Sequence, residues 1–213
     1  MIYPTDAPWS WNTRQPERQL ESQPECQQEL RDWLQDTGSL TERLRQCCQH
    51  FRVQLQRTRA QVSLTVDQAA WLGVDRAYCR EVLLLCDNQP WVYASSLYSP
   101  AALKAVPALG GLGERALGEL LFEHPKLTRS DFEFAQLTRN QWLQLLQEQA
   151  ELGPASLFSN IPTNTQASAS DALPWARRSL LAIPQAGVLV TELFLPAAQR
   201  YRESNRELNR EHR

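Results

Sequence analysis

The sequence predicts an α+β fold built on a single, largely antiparallel sheet of about six strands. Two segments rich in Val, Leu and aromatic residues, Tyr78–Cys86 and Trp91–Tyr98, flank the turn-forming residues 87–90, and this arrangement is typical of a β-hairpin. A second hairpin is predicted from Trp175–Ile183 and Val188–Leu195, which are separated by a turn containing Pro and Gly. Because short turns join antiparallel neighbours whereas parallel strands need long crossovers, the two hairpins favour an antiparallel sheet with helices packed against it.

Alternating and amphipathic patterns predict the remaining elements. Phe51–Gln56 and Asp131–Phe134 alternate apolar with polar residues, as half-buried strands do. Ser39 and Glu42 have the spacing of a capping box, so a helix is expected to run from there to about His50. Further helices are expected around Leu30–Leu34, after Ser99-Pro100, over Glu114–Phe122 and over Asn140–Leu152.

Length and composition fit one compact domain with irregular ends. The chain has 213 residues, of which 42% are apolar and 22% charged, ordinary values for a globular protein. Residues 1–25 are rich in Pro, Gln and charge and are expected to form an irregular lead-in, while residues 197–213 are expected to form a charged helical tail. The domain is then residues 26–196. Within it, Gly153–Ser170 has few large apolar residues and is expected to be a surface loop or disordered.

Charge and hydropathy argue against several classes of function. The net charge of −2 gives no sign of a nucleic-acid or anionic-membrane binder. The apolar runs are strand-sized, far short of the roughly 20 residues that a membrane-spanning helix needs. The N-terminal residues also lack the basic-then-apolar pattern of a secretory signal. We therefore expect a cytoplasmic protein that acts as a monomer, without nucleic-acid or membrane partners.

The cysteine and histidine residues do not indicate a metal site or a disulfide framework. An odd count of cysteines, without a Cys-x-x-Cys spacing or an export signal, favours free thiols. Cys47 and Cys48 lie near His50, but neighbouring residues of a helix point in different directions and do not converge on one metal ion. We therefore expect core or half-exposed thiols and no metal at the five cysteines, which are Cys26, Cys47, Cys48, Cys79 and Cys86.

Two charged residues interrupt strands that leave little room for them. Glu192 lies in Val188–Pro196, an otherwise apolar run apart from one Thr, and Arg80 lies in the strand Tyr78–Leu85. A buried charge is costly unless an opposite charge or hydrogen bonds receive it. One interpretation is a pocket in which Arg80 holds a substrate anion and Glu192 handles a hydroxyl group or a proton. An internal Arg–Glu pair and a solvated face are the two other interpretations.

Other polar motifs are weaker candidates for a site. Arg177 and Arg178 are adjacent in a predicted strand, so at most one of them shares the space of Glu192, and such neighbours are more typical of a solvated edge. Gly110–Gly113 lacks the ending of a phosphate-binding loop, and no Ser-His-Asp or G-x-S-x-G signature is present. The residues alone therefore predict a small-molecule pocket between sheet and helices and no more.

Several segments of the chain resemble, in the same order, the chorismate lyase family of bacteria. The resemblance covers roughly Arg31 to Pro196, and its specificity comes from several blocks in register rather than from any one of them. The blocks are Asp32-Trp33-Leu34, Ser39-Leu40-Thr41, Arg80–Leu84, Pro90-Trp91, Leu112-Gly113, Leu117–Phe122, Leu127-Thr128-Arg129, Trp175–Ser179 and Thr191–Pro196.

The resemblance implies a fold, a reaction and a set of site residues. The family fold is an antiparallel sheet with helices on one side and flap segments over a buried ligand pocket. The family removes pyruvate from chorismate and leaves 4-hydroxybenzoate, the first step of ubiquinone synthesis, without a cofactor. On the matching positions, Arg80 is expected to hold the ring carboxylate and Glu192 to meet the 4-hydroxyl group, and these two are the expected catalytic residues. Leu40 and Leu117 are expected to contact the ligand largely through their main chains.

The chain departs from the family pattern at two places. Near Ser95 or Ser96, relatives often carry an Arg that could serve the second carboxylate of chorismate, and Arg177 or Arg178 is a candidate to replace it. Residues 140–173 form an insert, either a lid or a spacer, where shorter relatives have a brief connection. Two alternatives to the lyase follow, namely a non-catalytic domain that senses a small aromatic acid and an interaction protein that uses the insert as its contact surface.

Overall fold

The computed structural model describes residues 11, 24–122, 124–150, 173–184 and 186–195. These residues form seven strands and six α-helices, with all strands in one open sheet. The predicted α+β class with a single antiparallel sheet is therefore confirmed. Most of the lead-in, the segment Gly153–Ser170 and the tail 197–213 lie outside the described residues, so what we expect of them stays a prediction.

The sheet joins the two predicted hairpins side by side. Its strand order is β1-β2-β3-β7-β6-β4, with β5 also pairing with β6, and every pairing is antiparallel. The hairpins are β2–β3 and β6–β7, and they meet where β3 pairs with β7. One strand more than expected is present because the two-residue β4 is too short to show alternation. The strands are β1 (Phe51–Ser63), β2 (Arg76–Cys86), β3 (Gln89–Tyr98), β4 (Thr128–Arg129), β5 (Glu133–Gln136), β6 (Trp175–Ile183) and β7 (Ala186–Phe194).

The turn of the first hairpin is tighter than predicted. Asp87 and Asn88 have φ angles of 49° and 63°, the left-handed values that a two-residue hairpin turn requires and that Asp and Asn tolerate. Gln89 and Pro90, expected in the turn, already belong to β3. The short turn fixes the register of β2 against β3, and with it the face to which each side chain of the hairpin points.

Five of the six helices lie near the predicted positions. The exception is a helix between β1 and β2, whose seven residues are too few to show a clear apolar stripe. It begins at a capping box between Thr65 and Gln68 and ends at Gly73, which has a φ angle of 67°. The helices are α1 (Pro24–Gln35), α2 (Leu40–Cys47), α3 (Val66–Leu72), α4 (Pro100–Ala105), α5 (Leu117–Leu121) and α6 (Arg139–Ala150), and a 3-10 helix spans Pro107–Gly111.

The sheet is covered on both faces, so the expectation of helices on one side is wrong. We call the face that carries Arg80 and Glu192 the pocket face, and the opposite face, with Leu83 of β2, the rear face. Residues of α1, α2, α4 and α5 pack on the pocket face. Residues of α3 and α6, among them Trp71 and Trp142, pack on the rear face. The physical reason lies in β2, whose continuous apolar run is typical of a strand buried on both sides.

A bulge in β1 brings two arginines to the rear face. The register of β1 against β2 shifts between Leu55 and Arg57, so Arg57 no longer shares the face of Leu55 as simple alternation requires. Arg57 and Arg59 instead form ion pairs with Glu81 of β2, a residue with no exposed surface. The adjacent residues Arg80 and Glu81 therefore serve opposite faces of the same strand.

The cysteine prediction is wrong for one pair. Cys48 and Cys86, 38 residues apart, form a disulfide, because the end of α2 lies against the end of β2. Cys47 and Cys79 are free thiols, as expected. Within the described ranges, no group of His, Cys, Asp and Glu residues has the arrangement of a metal site, and none of the helices there is long and apolar enough to cross a membrane.

Candidate active site

A cavity lies between the pocket face of the sheet and the first residues of α2 and α5. It encloses about 510 Å³ of empty space, a volume that includes space open to solvent. All four site residues expected from the sequence line it. The lining comprises Ser39, Leu40, Thr41, Val53, Arg80, Val82, Leu84, Ala94, Ser96, Ala116, Leu117, Gly118, Phe122, Arg129, Leu181, Val190 and Glu192.

Arg80 is held by main-chain oxygens on one side of the cavity. Only 3% of its surface is exposed. Its Nη2 atom donates hydrogen bonds to the carbonyl oxygens of Gly113 and Arg115, at 2.8 and 2.7 Å. Burial lowers the pKa of the guanidinium, while the nearby phenol of Tyr98 opposes that change. Because two neutral carbonyls orient this buried cation without neutralising it, an anionic ligand group is a suitable partner for it.

Glu192 forms an internal ion pair, although not with Arg80. It lies opposite Arg177 in the β6–β7 register, and Nε of Arg177 is 2.5 Å from its Oε2. Arg177 is completely buried, and its Nη1 also donates to the carbonyl oxygens of Trp33, Leu34 and Asp36 at the end of α1. The pocket and the Arg–Glu pair were alternatives in the sequence, but the structure contains both.

The expectation of a solvated edge at the two adjacent arginines is wrong. Arg178 points to the rear face, as alternation requires, but it too is buried, with 3% of its surface exposed. Its guanidinium forms ion pairs with Glu133 and Asp67, each at 2.5 Å, and lies over the ring of Trp11 at 4.3 Å. The sequence does not indicate this burial, because the carboxylates that pair with Arg178 come from β5 and from the unpredicted helix α3.

Leu40 and Leu117 are the first residues of α2 and α5, respectively. The first amides of a helix have no acceptor within the helix, so they are available to a ligand. The Ser39 hydroxyl caps α2 by accepting a hydrogen bond from the amide of Glu42. The two helix starts lie in close contact, because a β-carbon at Gly118 would lie 3.2 Å from Oγ of Ser39.

Arg129 is a pocket residue that the sequence did not single out. It lies on the two-residue strand β4, and its Nη1 donates to the carbonyl oxygens of Thr37 and Gly38, each at 3.3 Å. Its guanidinium lies over the rings of Phe122 and Phe132, at 5.1 and 5.0 Å. Burial lowers its pKa, and the nearby charge of Glu192 opposes this effect. The only sequence signal was its place in one of the resembling blocks.

Neither Arg177 nor Arg178, the candidates to replace an arginine expected in the central hairpin, lines the cavity. Ser96 lines the cavity, whereas Ser95 points to the rear face, in the same cross-strand row as Glu81. Arg178 lies on the rear face as well, and Arg177 is absent from the cavity lining. Arg80 and Arg129 are therefore the arginines that line the cavity within the described ranges.

The cavity combines apolar walls with separated charges. Val53, Val82 and Leu84 offer an apolar surface from the sheet, while two arginines and one carboxylate provide the polar contacts. An apolar site with a few convergent polar groups suits a small cyclic anion that also carries a hydroxyl group. Residues 140–150 of the predicted insert belong to α6, which packs on the rear face and does not cover the cavity.

Comparison with known proteins gives consistent matches at the level of sequence. A family model described as chorismate lyase matches residues 9–205. A probable chorismate pyruvate-lyase of Pseudoalteromonas translucida (strain TAC 125) is 37% identical over 173 residues, which are 80% of this chain and 86% of that protein. Another, of Azoarcus sp. (strain BH72), is 34% identical over 193 residues, or 88% of this chain and 91% of that protein.

Among solved structures, the effector domain of PhnF from Mycobacterium smegmatis aligns with this chain. The TM-score is 0.49 at 12% sequence identity, and the alignment covers 76% of this chain and 91% of that domain.

Proposed function

The chain belongs to the chorismate lyase family, and from this premise we propose that it is a chorismate pyruvate-lyase that needs no cofactor. The reaction converts chorismate to 4-hydroxybenzoate and pyruvate, which makes the protein a carbon–oxygen lyase. The observation that carries the proposal is that Arg80 and Glu192, both buried, line one cavity together with the first residues of two helices.

In the proposed complex, the ring carboxylate of the substrate lies against Arg80. The main-chain amides of Leu40 and Leu117 are further donors to it, because the start of a helix carries free N–H groups and a partial positive charge. The 4-hydroxyl group, on the opposite side of the ring, donates to the carboxylate of Glu192. The apolar side chains between these two ends cover the ring faces, and the segments at the two helix starts act as the flaps.

The proposed reaction needs little from the protein beyond the positioning of the substrate and its shielding from water. A base takes the hydrogen from C4, the electrons of that bond form the ring double bond between C3 and C4, and the C3–O bond breaks. The leaving enolpyruvate takes up a proton and becomes pyruvate. Because the ring becomes aromatic, the step is strongly downhill, so a positioned base, a charge clamp and exclusion of water account for catalysis.

Glu192 is the residue we assign to the reacting end of the substrate. Its carboxylate orients the 4-hydroxyl group and assists the transfer of the C4 proton. Arg177 acts as a positioning residue, because it is fixed by three carbonyl oxygens and by the ion pair and so restricts Glu192 to one orientation.

The proposal also includes the setting of the reaction. We assign the activity to residues 26–196, acting as a monomer in the cytoplasm, with 4-hydroxybenzoate passing to ubiquinone synthesis. The descriptions of the family and of its relatives support the reaction, and the pathway follows from the identity of the product.

The test is to incubate the purified protein with chorismate and a metal chelator and to follow both products. Equimolar 4-hydroxybenzoate and pyruvate are expected. Glu192→Gln should reduce kcat by about two orders of magnitude or more, the range for a group that assists proton transfer. Glu133→Gln is the matched control, because Glu133 pairs with Arg178 on the rear face, and its kcat should stay near that of the wild type.

Two results would contradict the proposal. Binding of 4-hydroxybenzoate without turnover of chorismate would indicate a sensor of aromatic acids instead of an enzyme. An unchanged kcat in Glu192→Gln would leave the reaction in place but remove Glu192 from it.

A further inference from the structure

We propose that Arg129 binds the enolpyruvyl carboxylate of chorismate and so distinguishes the substrate from the product. The inference rests on the proposed function and concerns the same cavity. Chorismate carries two carboxylates, one on the ring and one on the enolpyruvyl group, whereas 4-hydroxybenzoate carries the ring carboxylate alone. A site that holds the ring carboxylate at Arg80 therefore needs a second cation for the substrate and not for the product.

The position of the second carboxylate follows from the covalent structure of chorismate. The ring carboxylate at C1 and the hydroxyl group at C4 lie across the ring from each other, and the enolpyruvyl ether is attached at C3, next to C4. A substrate with its C1 carboxylate at Arg80 and its C4 hydroxyl group at Glu192 therefore has its enolpyruvyl group at the Glu192 end. The cation that receives it must lie at that end of the cavity.

Arg129 lies at the Glu192 end. Its guanidinium is 5.0 Å from the ring centre of Phe132, and the guanidinium of Arg177 is 4.4 Å from the same ring. Arg177 in turn is bound to Glu192. The guanidinium groups of Arg129 and of the Arg177–Glu192 ion pair therefore contact the same aromatic ring. The sheet agrees with this placement, because β4, which carries Arg129, and β2, which carries Arg80, lie on opposite sides of the central strand β7.

The guanidinium of Arg129 has donor capacity left for a ligand. Its contacts to the carbonyl oxygens of Thr37 and Gly38 use one nitrogen and are long, at 3.3 Å. Its Nε is buried and has no hydrogen-bond partner among the described residues. The rings of Phe122 and Phe132 meanwhile hold the planar group in place. A carboxylate could thus be received by a pre-oriented arginine, which is the favoured partner for such a group.

Among the residues that the structure describes, the other candidates do not provide this contact. Ser96 lines the cavity but carries no charge. Arg177 does not line the cavity, and its Nε and Nη1 are bound to Glu192 and to three carbonyl oxygens. Arg178 lies on the rear face. Arg129 therefore takes the role that relatives are expected to give to an arginine of the central hairpin.

The experiment compares ligands that differ in the second carboxylate. Arg129→Gln should raise the KM for chorismate about ten- to a hundredfold, the range for one charge-assisted hydrogen bond. The Kd for 4-hydroxybenzoate, measured by calorimetry, should stay within about twofold of the wild type. Arg129→Lys should recover part of the loss, because it keeps the charge without the planar fork. An unchanged Kd for the product also serves as the check that the variant has folded with its cavity intact.

Arg45→Gln is the matched control for the loss of a positive charge. Arg45 is exposed, pairs with Glu119 of α5 and does not line the cavity, so the KM for chorismate should not change. An unchanged KM in Arg129→Gln would overturn the inference. Equal weakening of substrate and product would do so too, because it would give Arg129 a role in shaping the cavity as a whole.

Failure of the proposed function remains distinguishable from failure of this inference. If the wild type binds chorismate without turnover, the lyase proposal fails, and the Kd values of the two ligands then provide the same comparison in place of KM. If the wild type binds neither ligand, both proposals are overturned.

Discussion

The guanidinium of Arg177 lies 2.5 Å from the carboxylate of Glu192, and the arginine is wholly buried while the carboxylate borders the cavity. Three carbonyl oxygens at the end of α1 accept hydrogen bonds from Nη1 of the same guanidinium. The orientation of the Glu192 carboxylate is thus tied to the end of α1 through the side chain of Arg177.

Arg177→Met should lower both stability and activity. Removing one partner of a buried ion pair costs about 3–5 kcal/mol, because the other charge is left uncompensated. Urea denaturation should show this loss, and kcat of the folded protein should fall because Glu192 loses its fixed orientation. The control is Arg178→Met, which breaks the corresponding pairs on the rear face. It should be destabilised but should keep its kcat, and a comparable fall in kcat would argue against positioning by Arg177.

Arg80→Gln should weaken the binding of chorismate and of 4-hydroxybenzoate together. Both ligands carry the ring carboxylate that we place at Arg80, so both the KM and the product Kd should rise by about tenfold or more. Arg76→Gln, on the exposed start of the same strand, is the control and should leave both constants unchanged. Weaker binding of chorismate with unchanged binding of 4-hydroxybenzoate would indicate that the roles we give to Arg80 and Arg129 are reversed.

Gly118→Ala should weaken product binding by separating the starts of α2 and α5. The added β-carbon would lie 3.2 Å from Oγ of Ser39 and 3.3 Å from Oγ1 of Thr41, so the two segments must move apart by a few tenths of an ångström. Calorimetry with 4-hydroxybenzoate should show a higher Kd. In Gly111→Ala the new carbon meets no atom within 4 Å, and the Kd should not change. Equal affinities in all three proteins would show that the helix starts do not hold the ligand.

Asp36 should make part of the stability dependent on acid pH. Burial would raise the pKa of this carboxyl above its ordinary 3.8, but hydrogen bonds from the Gly38 amide and the Arg43 guanidinium outweigh burial and lower it. A lowered folded-state pKa means that this stabilisation is present above the ordinary pKa and is lost as the pH falls through the folded-state value.

The measurement is the free energy of unfolding of the wild type and of Asp36→Asn from neutral pH to below the ordinary pKa of Asp. The wild type should be more stable at neutral pH, and the difference should shrink in acid. Arg43→Gln should reduce the pH dependence, because it removes one of the two donors. A difference between wild type and Asp36→Asn that stays constant across this range would contradict the assignment.

Local patterns in the sequence predicted the two hairpins and singled out Arg80 and Glu192, which both line the cavity. The segments Tyr78–Cys86 and Val188–Leu195 carry dense apolar runs, and burial on two faces makes such runs conspicuous. Arg80 and Glu192 could be found because each interrupts such a run. The resemblance to a family added Leu40 and Leu117, whose side chains alone give no functional signal.

The misses share a physical cause, namely contacts between residues that are far apart in the chain. Arg177 and Arg178 looked solvated because their partners lie on β7, α1, β5 and α3. Arg129 escaped notice because a two-residue strand shows no alternation. The Cys48–Cys86 disulfide depends on where α2 meets β2, and the rear-face position of Arg57 depends on a bulge. The residue pattern of a single segment cannot predict contacts with segments that are far away in the chain.

The alternation of β6 has a consequence for how the site can be recognised in mutational data. The consecutive residues Arg177 and Arg178 each form an ion pair with a carboxylate. The carboxylate bound to Arg177 lies on the pocket face, and the one bound to Arg178 lies on the rear face. A deep mutational scan that selects for growth should find that neither position tolerates substitution, because the loss of either arginine destabilises the protein or lowers its activity. The intolerant positions would then follow the strand and would not outline the cavity. The two residues would be separated only by a measurement of kcat on the folded variants.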